Sequence, residues 1–317
     1  MKVLFHSNQL CLRGTSVALY DYAQFNEELL GNQSFILFDA NSRFNDNLGV
    51  EKFVSRFPDK VYSYKNREEI DRLCDHLEVD FCYFIKGGDN DGLLTKKRNG
   101  VHVVFQCYQP HGDVYAYVSE WLSMKMTGGK SPFVPHIVHM PDPIKNIRSE
   151  LGIPENAFVF GRYGGADQFD IPFVREAVIE FAEKNPNVYF IFANTQRFAD
   201  HPRVRFYTGF SDMQIKANFV DSCNAMIHGR AMGESFGLAI CEFLYGNKPV
   251  LAWNGGNDQH HVDILRDGGM LYADKKDLLK KMDDLVNLEP RSYRHLVDKF
   301  NPSSVMERFK RVFLEAV

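Results

Sequence analysis

The sequence predicts an α/β protein made of two Rossmann-like domains, each built on a parallel sheet. Short apolar runs alternate with amphipathic stretches of helical length along the whole chain, as in strands joined by helical crossovers. At 317 residues the chain is long enough for two cores of ordinary size. A proline-bracketed stretch ending in Pro141-Asp142-Pro143 interrupts the alternation once, which sets expected domains at residues 1–145 and 146–301 with a final segment at 302–317.

Residues 3–5 read as the first strand, and the polar loop 7–14 leads into a helix over 15–30. Val17, Leu19, Tyr20, Ala23 and Leu30 lie near one face of it, and Gly31 stops it. Further strands are expected at 34–38, 61–64, 81–85 and 101–107, with a helix over 67–77 between the third and fourth strands. A dinucleotide site would need G-x-G-x-x-G at the first turn. Only Gly14 is present there, so an NAD enzyme is disfavoured. Asp89 and Asp91, in Gly87-Gly88-Asp89-Asn90-Asp91-Gly92, read as turn chemistry rather than as carboxylates for a divalent cation. Residues 134–140 are expected to form the last strand of this half.

The second half opens with an apolar strand over 157–160. Gly161-Arg162-Tyr163-Gly164-Gly165 follows at its carboxyl end, where open α/β sheets bind ligands, and a glycine loop carrying a cation suits a diphosphate. A helix over 171–183, strands over 188–192 and 203–207, a helix over 212–221 and a strand over 225–228 continue the alternation. Arg230 then precedes Gly233-Glu234-Ser235-Phe236-Gly237-Leu238-Ala239-Ile240-Cys241-Glu242.

That string places Glu234 in a glycine-flanked turn and Glu242 on the helix the turn opens, expected over 236–245. Ser235 can cap this helix, and Gly237 allows close approach to its backbone. Unpaired N–H groups at a helix start favour anions, so the arrangement suits a ligand with both phosphates and sugar hydroxyls. Gly246 and Asn247 end the helix, and 249–253 reads as a buried strand. Asn254-Gly255-Gly256-Asn257-Asp258 forms another glycine loop. His260-His261 lacks a third ligand at metal spacing, so no metal site is expected. Helices over 275–285 and 303–314 finish the chain.

Glu234, Phe236-Gly237, Glu242 and Gly246-Asn247-Lys248-Pro249-Val250 resemble the nucleotide-binding motif of the retaining glycosyltransferases of family 4. That family has the GT-B fold, two Rossmann-like domains whose parallel sheets face a cleft. The resemblance covers most of residues 157–272 and the first half loosely. It implies a sugar transfer from a nucleoside diphosphate sugar, with retention and without a metal or other cofactor, to a glycan, lipid or protein acceptor held by the first domain. It also implies that Glu242 holds the ribose hydroxyls, that Glu234 lies beside the donor sugar, and that 302–317 packs back on the first domain. Arg13-Gly14-Thr15 stands at the place of the family's acceptor-side glycines, and an ordinary strand-to-helix turn accounts for it equally. Residues 114–122 resemble the segment where a strand ends in a serine and opens a helix, and His111, in the loop before it, matches the histidine that reaches the donor sugar; His102 is a weaker candidate.

By this likeness Gly161, Arg162, Ser235, Phe236 and Gly237 line the donor site. The family pattern places Lys-Gly about five residues after Gly-Arg, but here Asp167 or Gln168 stands at the lysine position. Arg230 is a compensating cation on the neighbouring loop. The missing lysine supports one rival, a GT-B module that binds a nucleotide sugar without transferring it. A nucleotide-sugar epimerase, which can share this fold, is the second.

The formal net charge of -4 argues against nucleic-acid binding. The six cysteines are scattered without metal-ligand spacing and mostly in apolar segments, as expected for thiols in a reducing compartment. No segment reads as a signal peptide or membrane span. A cytoplasmic protein with at most peripheral membrane contact is therefore expected.

Overall fold

The structure is a computed structural model that describes residues 1–266, 270–289 and 291–315. Residues 267–269 of the motif-bearing stretch and 316–317 of the expected C-terminal segment lie outside the described residues. The chain divides into two units, Met1–Ile137 with Phe300–Val317, and Val138–Lys299.

In chain order the first unit contains β1 (Lys2–Ser7), α1 (Gly14–Glu28), β2 (Gln33–Asp39), α2 (Asn47–Arg56), β3 (Val61–Tyr64), α3 (Glu68–His76), β4 (Phe81–Lys86), β5 (Arg98–Val103), β6 (Val114–Tyr117) and α4 (Glu120–Thr127). Its strands pair in parallel in the order β3-β2-β1-β4-β5-β6. β4 is buried at every position, which is why it reads as an unbroken apolar run and not as an alternation.

The second unit contains β7 (Phe158–Tyr163), α5 (Pro172–Lys184), β8 (Val188–Ala193), β9 (Val204–Tyr207), α6 (Met213–Asp221), β10 (Ala225–Ile227), β11 (Gly233–Glu234), α7 (Leu238–Tyr245), β12 (Val250–Trp253), β13 (Asp258–Gln259), α8 (His260–Leu265), β14 (Leu271–Tyr272) and α9 (Lys275–Val286). Its main sheet is parallel in the order β14-β12-β10-β7-β8-β9, and β11 pairs separately with β13. Side chains cap several helices: Ser119 accepts from the Leu122 N–H at 3.1 Å, and Asp212 accepts from the N–H groups of Gln214 and Ile215.

The chain returns to the first unit through α10 (Pro302–Phe309), continued as a π-helical turn over Lys310–Leu314. Pro302 stands in its first turn, where its missing N–H costs nothing, and Asn301 caps it. Phe309 is fully buried with its ring 5.2 Å from Tyr22 and 5.3 Å from Tyr83. Arg98 donates to the carbonyls of Phe313 and Leu314.

Several expected elements differ. Residues 134–140 are not a strand; Phe133 makes an isolated bridge to Tyr117, and Pro135, which has no N–H, stands where a ladder would have to continue. The stretch reads as a strand because Val134, Ile137 and Val138 are buried, but burial alone does not make a ladder. β5 ends at Val103 rather than 107, leaving a longer loop before β6. α2 has no counterpart in the sequence reading. Only Gly49 and Phe53 of it are buried, so it carries no wide apolar face.

Candidate functional site

In each unit the strand order reverses beside the first strand, between β1 and β4 and between β7 and β10. Open parallel sheets bind ligands outside the carboxyl ends of the strands at such a reversal. In the second unit those ends carry Arg162-Tyr163-Gly164-Gly165 and His228-Gly229-Arg230.

Arg162 is 3% exposed. It donates to the Thr195 hydroxyl and to the Gly165 carbonyl, and its guanidinium lies 5.5 Å from the centre of the Phe169 ring. Burial pulls this group down to about 10, with the Glu234 carboxylate acting the other way and Arg230 adding to the fall. Gly161 is not in the loop but inside β7, where a Cβ would stand 2.2 Å from Cys223 Sγ. Its bare Cα is required by packing.

Glu234 is positioned by the short β11–β13 ladder, in which Gly233 pairs with Asp258 and Glu234 with Gln259. Gly233 has φ +78°, and a Cβ on it would meet the Asp258 carbonyl oxygen at 1.9 Å, so only glycine fits. Both carboxylate oxygens of Glu234 are engaged. Oε1 lies 3.0 Å from His228 Nε2, and Oε2 accepts from Arg230 at 2.8 Å. Burial alone would push this carboxyl up. The His228 hydrogen bond and the Arg230 charge outweigh it and hold the group down at about 2. As an ionised carboxylate only accepts, His228 donates through Nε2, and its buried Nδ1 has no hydrogen-bond partner.

The Glu234 N–H donates to His261 Nδ1 at 3.3 Å, and His261 Nε2 donates to the Trp253 carbonyl at 2.9 Å. His261 is therefore neutral, and burial pulls it down to about 4.

α7 begins at Leu238, two residues later than expected. Gly237, at φ +88°, occupies the N-cap and offers no side chain, so Ser235 lies outside the cap position it was expected to fill. Phe236 is buried, its ring 5.2 Å from His260 and its carbonyl accepting from His260 Nδ1.

Glu242 lies on α7 at 3% exposed. Lys216, from α6, donates to Oε1 at 2.6 Å, and the Tyr163 hydroxyl donates to Oε2 at 2.7 Å. Arg162 and Tyr163 are successive residues of β7 and point to opposite faces of the sheet. One is coupled to Glu234 and the other is bonded to Glu242.

His111 belongs to the first unit, in the loop between β5 and β6. Its Nδ1 donates to the Gln109 carbonyl at 2.6 Å, and its buried Nε2 has no hydrogen-bond partner. In the neutral ring that nitrogen is an acceptor. His102 is a core residue, bonded at both nitrogens to Tyr83 and the Val134 carbonyl. Asp91 pairs with the buried Lys86 at 2.7 Å. Among the described residues, no group of three or more His, Cys, Asp or Glu side chains is placed to hold a metal ion.

The structure thus brings Arg162, Arg230 and Glu234 together in one cluster and places Glu242 across β7 from it. Sequence reasoning missed Lys216, Tyr163, His228, His261 and Thr195. A lysine among the apolar residues Ile215, Ala217, Phe219 and Val220 was the one signal for a buried charge pair.

Two parallel six-stranded sheets in this arrangement define the GT-B fold, the class seen in glycosyltransferases of known structure. HepE from Anabaena, solved with UDP-glucose, superposes with a TM-score of 0.73 at 14% identity, covering 100% of both chains. A glycosyltransferase from Rickettsia africae superposes at 0.71 with 13% identity, over 99% of this chain and 98% of that one. A Listeria monocytogenes protein described as a UDP-N-acetylglucosamine 2-epimerase superposes at 0.62 with 13% identity, over 100% and 97%. No family model and no curated protein matches the chain. Among the described residues no helix is long and apolar enough to cross a membrane.

Proposed function

We propose that this protein is a glycosyltransferase of the retaining family 4 type, moving a sugar from a nucleoside diphosphate sugar to a hydroxyl acceptor without a metal or other cofactor. The observation that carries this reading is the cluster of Arg162, Arg230 and Glu234 at the β7/β10 reversal, the place where such a sheet binds an anion. Departure of the nucleoside diphosphate builds negative charge on the leaving phosphate. Arg162, Arg230 and the backbone N–H groups at Gly237 and the start of α7 stabilise that charge electrostatically. Glu234, held ionised by Arg230 and His228, orients the donor sugar and offsets positive charge at the anomeric carbon. His111 offers Nε2 to a sugar hydroxyl. Glu242 receives the ribose hydroxyls: a carboxylate has about four lone-pair positions, and Lys216 and Tyr163 use two of them.

Two observations favour other readings. Asp167 and Gln168 stand where the family carries a lysine, which favours a binding module without transfer. The likeness to the Listeria protein favours an epimerase. Incubation with radiolabelled UDP- and GDP-sugars separates the three. Slow donor hydrolysis or transfer supports the glycosyltransferase, binding with no turnover against any acceptor supports the module, and conversion of the sugar without acceptor supports the epimerase.

A further inference from the structure

We infer that Lys216 and Tyr163 are positioning residues for Glu242, and that together they make the nucleotide site selective for a ribose over a deoxyribose. This inference rests on the reading of Glu242 as the ribose anchor. The three groups form a closed unit. Lys216 Nζ and the Tyr163 hydroxyl take one oxygen each of the same carboxylate, at 2.6 and 2.7 Å, and the Lys216 and Glu242 side chains are 8% and 4% exposed.

The two partners come from different elements. Lys216 is carried by α6, whose start is capped by Asp212. Its ammonium also lies 5.6 Å from the centre of the Tyr163 ring. Tyr163 is the last residue of β7, wedged among Phe210, Phe219 and Phe243 with ring centres 5.4–6.0 Å away. A carboxylate gripped at both oxygens by side chains from two different elements has no rotational freedom about its terminal bond. The lone pair left on each oxygen then has a set direction, the requirement for accepting from two vicinal hydroxyls at once.

The fold does not require this buried polar unit for stability, since apolar residues of similar volume in place of all three side chains would pack as well or better. A lysine and a tyrosine converging on one carboxylate are accounted for when its orientation matters. A site built to hydrogen-bond a hydroxyl discriminates strongly against the analogue lacking it, because the polar group is then left unpaired.

The test compares the affinity of the chain for UDP with that for 2′,3′-dideoxy-UDP by calorimetry. Wild type should prefer UDP by roughly tenfold or more, as expected for hydrogen bonds to a charged group. Lys216→Met should bring the two affinities to within about threefold, and Lys216→Arg should restore part of the preference. Because Lys216→Met strands a buried carboxylate, the paired variant Lys216→Met/Glu242→Met serves as the folding control; it should recover thermal stability and still lack the preference. Tyr163→Phe, which keeps the ring packing, should lower the preference while leaving dideoxy-UDP affinity unchanged. If both affinities fall in parallel in Lys216→Met and Tyr163→Phe, so that their ratio stays at the wild-type value, the two residues are merely structural and the inference is overturned. A wild-type ratio near one overturns the ribose assignment itself, and with it this inference. No binding of UDP, GDP or ADP by wild type overturns the nucleotide-sugar reading as a whole.

Discussion

Arg230 donates to Glu234 Oε2 at 2.8 Å, and the two residues, four apart in sequence, meet across a loop and not along a helix. The pair joins the cation assigned to phosphate with the carboxylate assigned to the donor sugar. Arg230→Met should therefore weaken UDP binding by about tenfold, the loss of one charge-assisted contact. It should also cost roughly 1 kcal/mol of stability, since the Glu234 carboxylate then keeps one of its two side-chain hydrogen bonds, to His228. Calorimetry and urea unfolding read the two effects separately. Unchanged affinity would remove Arg230 from the phosphate site.

His111 should act on turnover and not on nucleotide affinity. His111→Ala is expected to leave the UDP dissociation constant unchanged and to lower donor hydrolysis or transfer by roughly a hundredfold, in the range for one positioned polar group. A fall in UDP affinity with unchanged turnover would contradict the assignment.

Gly161 tests the packing beneath the site. Gly161→Ala puts a methyl 2.2 Å from Cys223 Sγ and should cost about 1–3 kcal/mol in urea unfolding. Cys223→Ala removes that sulfur, so the double variant should be less destabilised than the two single costs summed. Strict additivity would show that the two atoms do not meet.

Stability should fall in mild acid because of buried neutral histidines. His6 is fully buried, bonded to the Tyr64 hydroxyl, and pulled down to about 3 by burial and by the charge of Lys86, with Asp91 opposing. The unfolded chain takes up this proton below about 6.5 and the folded chain does not, so the penalty is absent at neutral pH and grows as pH falls. At pH 4.5 it amounts to between about 2 and 3 kcal/mol. His6→Leu loses the Tyr64 bond, about 1 kcal/mol at pH 7, but escapes the penalty. Its urea midpoint should lie below wild type at pH 7 and meet or exceed it at pH 4.5.

Much of this protein was legible in its sequence. Parallel strands covered on both faces are apolar along most of their length, so β1, β4, β7 and β8 stand out as runs, and Gly246-Asn247 with Pro249 marks the end of α7. Arg162, Arg230 and Glu234 lie at strand ends and in a glycine turn, where local chemistry suffices to single them out. Contacts between elements were not legible. Lys216 and Glu242 are 26 residues apart, and Tyr163 is 79 from Glu242; no local pattern records such a meeting. The 134–140 stretch was misread because burial and strand pairing leave the same apolar signature, and only the neighbouring backbone decides between them. The sequence by itself determined the two α/β units and the charged residues that stand at strand ends and in the glycine turn. Which partner each charge has was decided by the tertiary structure, because a carboxylate's orientation depends on side chains delivered from other strands and helices.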